Sequence, residues 1–333
     1  MRTLVVSPSW IGDAVLSHPL LGRVKARDPQ GTIDVLAPPW ALAVFRRMPE
    51  VHGAIANPFG HGDLRLAGRR RFAKSLAPYD RAIVLPNSFK SALIPWHAGI
   101  GVRTGWRGEM RYGLLNDLRR LDEEALPLIV ERYAALAQPA GEPLQRPVPP
   151  PRLEVDAAAR EATLARHGLA LDTPVAAFAP GAEYGPAKRW PARHFAGLAR
   201  TLHAQGWQVW LLGSGKDQPI TAEVQALSGN VCRDLAGRTS LDEAIDLLSL
   251  AARVVTNDSG LMHIAAALDR PMAAIFGSSS PAFTPPLSGR ARVISLRLSC
   301  SPCFARVCPL GHTNCLETLL PEQVSAAFDE RLE

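Results

Sequence analysis

Asp258, Ser259, Gly260 and His263 cluster at one junction of 253-RVVTNDSGLMHIAAALDRPMAAIFG-277, where an apolar run meets a helical pattern. The first amides of a helix lack internal partners and carry the positive end of its dipole, so such a junction suits an anion. Ser259 could cap the helix or donate to a phosphate. His263 falls on the first turn; a lone His is often structural, but this position favours a functional one. Asp258 would repel a phosphate, and fits better orienting backbone amides or accepting a sugar hydroxyl. A second loop, 180-PGAEYGPAKRWP-191, carries Gly181, Ala182 and Glu183 ahead of Lys188 and Arg189. Lys-Arg before a helix start suits phosphate oxygens, although a solvated basic loop would look similar. It is not a P-loop, because no Gly-Lys-Ser/Thr ends it. In 209-VWLLGSGKDQ-218, Gly213 and Ser214 could let backbone approach a ligand, in a turn common to many α/β folds. The N-terminal half offers 5-VVSPSWIGDAVLS-17, with Ser9, Trp10, Gly12 and Asp13. Asp13 could cap a helix, or act as a general base at the carboxyl end of a strand. Trp10 could pack, or stack on a sugar ring.

Four of the five cysteines lie in 300-CSPCFARVCPLGHTNC-315: Cys300, Cys303, Cys308 and Cys315. Four thiolates can bind zinc or iron tetrahedrally. Reduced free thiols explain the pattern equally well, and no catalytic role is assigned to them. A cytoplasmic setting argues against stable disulfides.

These loops need strands and helices to present them. Short Val/Ile/Leu/Ala runs at 3–7, 32–37, 53–57 and 81–85 read as buried parallel strands, with a helix over 13–26. The Pro-rich stretch 138-QPAGEPLQRPVPPPRLEV-155 continues neither helix nor central strand and reads as a linker. Strands then follow at 174–181, 207–213, 253–257 and 271–277, with helices near 191–205, 216–228, 240–251 and 260–268. The expected fold class is α/β, two Rossmann-like domains facing across a cleft, at 1–150 and 151–333. In such sheets ligands bind beyond the carboxyl ends of the strands, where these loops lie.

The chain has 333 residues, 47% hydrophobic and 20% charged, which suits an ordinary globular core. No apolar run reaches the roughly 18 residues of a membrane span, and no signal-peptide pattern opens the sequence. A cytoplasmic protein is expected. The net charge of +6 is uneven: residues 1–150 hold 20 Lys/Arg against 13 Asp/Glu, and the remainder 17 against 18. The excess, as in 68-GRRRFAK-74, is either a solvated basic helix or the footprint of an anionic partner. Nucleic acid is not that partner, because binding motifs are absent and aromatics make up only 6%.

Three segments carry a family resemblance: 7-SPSWIGDAVLSHPLL-21, 180-PGAEYGPAKRWP-191 and 256-TNDSGLMHIAAALDRPMAAIFGSSSPAFTPPLS-288. The chain resembles the ADP-heptose:lipopolysaccharide heptosyltransferases of glycosyltransferase family 9, and its motifs favour type II over type I. The resemblance implies a GT-B fold, an ADP-L-glycero-D-manno-heptose donor and a lipopolysaccharide inner-core acceptor that already carries one heptose. It implies inverting transfer with no cofactor required for catalysis. By the same resemblance Asp13 is the base, and Lys188 stabilises the departing diphosphate. Gly181, Ala182, Gly213, Ser214, Asp258, Ser259, Gly260 and His263 line the donor, while Ser9, Trp10 and Gly12 lie on the acceptor side. The basic first half suggests peripheral contact with the inner leaflet of the membrane. Some relatives modify proteins and bind iron through cysteines, so protein heptosylation, or transfer to another lipopolysaccharide position, is the alternative. An NAD-linked epimerase would need G-x-G-x-x-G after the first strand, where residues 7–12 read Ser-Pro-Ser-Trp-Ile-Gly. A non-catalytic nucleotide-binding protein would need neither Asp13 nor Lys188.

Overall fold

The computed structural model describes residues 1–60 and 62–328. The chain divides into two compact units, Met1–Leu153 and Glu154–Glu333. Residues 139–156 around the division form neither helix nor strand, as expected where prolines withhold backbone donors.

The first unit is built on a six-stranded parallel sheet. Its strands are β1 (Arg2–Val6), β2 (Thr32–Ala37), β3 (Gly53–Ala56), β4 (Arg81–Val84), β5 (Val102–Trp106) and β6 (Asp117–Arg119), in the order β3-β2-β1-β4-β5-β6. The second sheet holds β7 (Val175–Ala179), β8 (Gln208–Leu211), β9 (Cys232–Asp234), β10 (Arg253–Asn257), β11 (Met272–Ile275) and β12 (Ala291–Ile294). Its order is β12-β11-β10-β7-β8-β9, again wholly parallel. Counted within each unit, both sheets follow the doubly wound order 3-2-1-4-5-6. The strand order therefore reverses between β1 and β4 in one sheet and between β7 and β10 in the other. Crevices at such reversals, beyond the carboxyl strand ends, are where ligands bind.

Burial on both faces explains the strand composition. All five residues of β7 (VAAFA) and all four of β11 (MAAI) are buried. In the second unit, Phe178, Trp190, Phe195, Leu211 and Ile275 form the centre of the core. In the first, Leu4, Val6, Val84, Leu93 and Ile94 do the same.

The single helix expected over 13–26 is two helices, Ile11–Leu16 and His18–Arg27. Pro19 has no amide to donate back, so the first helix ends and the second starts with proline in its first turn. Buried Ser17 sits at the joint and donates its hydroxyl to Ala14 O at 2.7 Å. Strands β5, β6, β9 and β12 were not expected; all but β5 are three or four residues long. No helix of the described residues is long and apolar enough to cross a membrane.

Candidate functional site

In the second unit, the loops after β7 and β10 meet at the sheet's reversal. Lys188, on the short 3-10 turn Pro186–Lys188, extends Nζ to 2.5 Å from Asp258 Oδ2. Their side chains are 18% and 6% exposed, so the pair is largely shielded from water. Asp258 was expected to orient amides or receive a sugar hydroxyl; in the structure its partner is Lys188. The two residues lie 70 positions apart in sequence, a coupling that local spacing does not reveal.

The Gly260–Ala267 helix starts directly beyond Asp258. Ser259 is its N-cap residue, but its side chain makes no capping bond and lies 3.3 Å from Thr256 Oγ1. The first-turn amides thus receive no cap from Ser259, as an anion-accepting helix start requires. His263 is 6% exposed. Burial lowers its pKa to about 4; the charge of Asp258 opposes the shift and that of Lys188 assists it. A neutral imidazole at pH 7 offers one N–H and one acceptor.

This burial has a measurable consequence. The unfolded chain takes up a proton at His263 near pH 6.5, whereas the folded chain resists until about 4. The contribution to stability is complete above pH 6.5, falls between 6.5 and 4, and changes no further below 4. The loss reaches about 3 kcal/mol, at roughly 1.4 kcal/mol per pH unit. Urea unfolding of wild type and His263→Gln at pH 7 and pH 4 should show the steeper loss in wild type. Parallel losses in the two proteins would remove His263 as their source.

Asn257, fully buried, closes the 180–190 loop at both ends. Its Nδ2 donates to Pro180 O at 2.7 Å, and its Oδ1 accepts from Trp190 N at 2.9 Å. Trp190, itself fully buried, donates Nε1 to Leu319 O at 2.8 Å. The loop that carries Lys188 is therefore anchored in the core.

Gly181, Gly213 and Ser214 come together, but around Asp217. A Cβ on Gly181 would fall 2.2 Å from Asp217 Oδ1, and one on Gly213 would fall 2.8 Å from Asp217 Cβ. Where either glycine would carry a side chain, Asp217 already stands. Asp217 Oδ2 accepts from both the amide and hydroxyl of Ser214, each at 2.8 Å. The Ser-x-x-Asp spacing of a capping box was the available signal. Ala182, 2% exposed, contributes its carbonyl to Arg189 Nη2 at 3.1 Å.

The cysteine-bearing segment packs on the same loop. Phe304 N donates to Ser278 O at 2.6 Å, Tyr184 Oη to Phe304 O at 2.7 Å, and Ala187 N to Arg306 O at 3.1 Å. Zinc or iron at Cys300, Cys303, Cys308 and Cys315 was the open expectation, and the geometry does not carry it. Among the described residues no group of three or more His, Cys, Asp or Glu side chains is placed to hold a metal ion. Cys315 lies in the Asn314–Glu317 helix and packs partly buried against the core, whereas Cys303 is exposed. Burial first, then the other three thiols, pushes the Cys315 pKa up; backbone amides led by Thr313 pull that of Cys308 down. All four are free thiols.

In the first unit, Asp13 lies in the first turn of the Ile11–Leu16 helix, just beyond the carboxyl end of β1. The helix starts two residues earlier than Asp13, so Trp10 is the N-cap and Asp13 does not fill that role. Asp13 is half-buried. Its charge, after burial, helps to push the Tyr133 phenol well above the usual range. Gly12 shares the same turn, Trp10 is 49% exposed, and Ser9 O accepts from Trp40 Nε1 at 2.9 Å. Arg111, missed in the sequence, is fully buried and clamps the loops after β4 and β5. It donates to Pro86 O at 2.5 Å, to Asn87 Oδ1 at 3.1 Å and to Trp106 O, and burial lowers its pKa to about 10. The basic excess surfaces on the Leu66–Ser75 helix, where Arg70, Arg71 and Lys74 are exposed. Its neighbour, the Phe89–His97 helix, exposes Trp96, and His97 lies within reach of the charge of Arg70.

Residues 69–314 match the family model described as glycosyltransferase family 9 (heptosyltransferase). The chain belongs to this family. It is 52% identical over 307 residues to lipopolysaccharide heptosyltransferase 2 of Escherichia coli K12, covering 89% of this chain and 88% of that protein. It is 48% identical over 310 residues to lipooligosaccharide heptosyltransferase 2 of Haemophilus influenzae, with 89% of each covered. The solved structure of the E. coli ADP-heptose lps heptosyltransferase II superposes with a TM-score of 0.89 at 47% identity, covering 99% of this chain and 98% of that one. As a family 9 chain with two parallel Rossmann-like sheets, this protein has the GT-B architecture anticipated from its motifs.

Proposed function

We propose that this family 9 chain is an inverting glycosyltransferase that moves L-glycero-D-manno-heptose from ADP-heptose to the first heptose of the lipopolysaccharide inner core. The observation that carries the reading is the Lys188–Asp258 pair beside the uncapped start of the Gly260–Ala267 helix, at the reversal of the second sheet. Cationic and amide donors gathered there suit a nucleotide diphosphate. Relatives sharing about half of its residues are named for lipopolysaccharide or lipooligosaccharide transfer, which favours that acceptor over a protein.

In this reading Asp13 takes the proton of an acceptor heptose hydroxyl. The oxygen attacks the anomeric carbon of the donor from the face opposite the diphosphate. The bond from that carbon to the diphosphate oxygen breaks, and ADP leaves with the electron pair. Lys188 and the helix amides stabilise the charge on the leaving group, and His263 stays neutral. No metal takes part in any step. Exposed Arg70, Arg71 and Lys74 on one helix and exposed Trp96 on the neighbouring one suit contact with the anionic inner leaflet on the cytoplasmic side.

The test is transfer from ADP-heptose to monoheptosyl-Kdo2-lipid A, presented in anionic vesicles and followed by mass spectrometry. Addition of one heptose is expected, at a rate that falls as salt rises because the surface attraction is screened. No addition despite donor binding would overturn the acceptor assignment. A rate insensitive to salt would remove the membrane contact.

A further inference from the structure

A second cation stands on the ring that flanks Lys188. Tyr184 lies in the loop after β7, and its hydroxyl bond to Phe304 O, at 2.7 Å, holds the ring in place. Lys188 Nζ lies 5.0 Å from the centroid of that ring, and Arg306 Cζ lies 5.0 Å from the same centroid. At most two such lengths separate the two charges. Arg306 is held against the turn by its backbone, through its carbonyl bond from Ala187 N at 3.1 Å. Gly185 makes this approach possible, because a Cβ there would fall 2.4 Å from Arg306 O.

Lys188 is already paired with Asp258 at 2.5 Å, so a diphosphate that takes up the lysine's N–H donors also meets the neighbouring carboxylate, which a further cation would offset. A nucleotide-sugar diphosphate brings about two negative charges, and its departure adds about one more. Arg306 is exposed, and among the described residues no carboxylate forms an ion pair with it. A guanidinium can engage phosphate oxygens through two parallel N–H bonds, which a lysine cannot do.

We infer that Arg306 is a further donor-binding residue that grips the diphosphate of the nucleotide sugar, brought to Lys188 by the cysteine-bearing segment. The inference rests on the donor reading above. It also gives that segment a task requiring neither metal nor reactive thiol.

The test is calorimetric titration of ADP and of AMP into wild type, Arg306→Gln and Arg306→Lys, with donor and acceptor KM measured beside it. Arg306→Gln should weaken ADP roughly ten- to a hundred-fold, leave AMP within about two-fold, and raise the donor KM while sparing the acceptor KM. Arg306→Lys should recover part of the loss. Unchanged ADP binding in Arg306→Gln would overturn the inference. So would parallel loss of ADP and AMP, which would mark Arg306 as a brace for the loop. Wild-type protein that binds neither nucleotide would overturn the donor reading, and this assignment with it.

Discussion

Asp13→Asn is expected to slow heptose transfer by about a thousand-fold while ADP binds as it does to wild type. The substitution preserves shape and polarity but replaces a carboxylate that accepts a proton with an amide that does not. Asp13 has the placement of a working group: the first helical turn after the central strand β1, at the reversal of its sheet. Trp10 occupies the capping position, so the structural alternative for Asp13 is its charge in the first helical turn, whose loss in Asp13→Asn would cost less than about 2 kcal/mol of stability and not a thousand-fold in rate. The nearby Tyr133 phenol is held protonated by burial and by the charge of Asp13, so it does not compete as a base. General bases contribute about 10²- to 10⁴-fold, and the expected loss lies within that range. Single-turnover transfer with saturating donor, together with an ADP titration, separates chemistry from binding. A rate within about ten-fold of wild type would take Asp13 out of the proton transfer.

Lys188→Met should act on both rate and stability. If Lys188 serves the leaving group as proposed, losing its charge costs about 10²- to 10³-fold in kcat. It also leaves Asp258, with a side chain 6% exposed, as a shielded carboxylate with its ion pair broken. Breaking a buried pair from one side costs about 3 kcal/mol. The double variant Lys188→Met/Asp258→Asn removes the stranded charge along with its partner. It should regain much of the stability in urea unfolding while transfer stays slow. Recovery of both together would mean that the pair serves only to hold the fold. Loss of neither in Lys188→Met would remove the residue from both roles.

The sequence carried the alternation of elements and the loops at their carboxyl ends, because buried parallel strands leave runs such as VAAFA and MAAI that periodicity detects. Short strands such as Asp117–Arg119 and Cys232–Asp234 escaped, because three residues do not establish a period. The site was legible as separate loops and not as a network. Nothing local to Asp258 announces Lys188, and nothing near Asn257 announces Pro180 and Trp190. Gly213 was read as a place where backbone comes close to a ligand, whereas what lies against its side-chain position is Asp217. A missing side chain shows that something comes close, but not what. The cysteines suggested a metal by their spacing, which says nothing about whether four sulfurs converge.

The Asn257 side chain gives the loop that carries Lys188 a particular thermodynamic character. One amide holds the loop at Pro180 and at Trp190, so much of its conformational entropy is surrendered when the protein folds and not when a nucleotide arrives. On the proposed donor reading, nucleotide recognition by this loop resembles insertion into a rigid mould. A compact, stiff diphosphate mimic would need little induced fit from residues 180–190, so its affinity would track how well its charges match those of the mould.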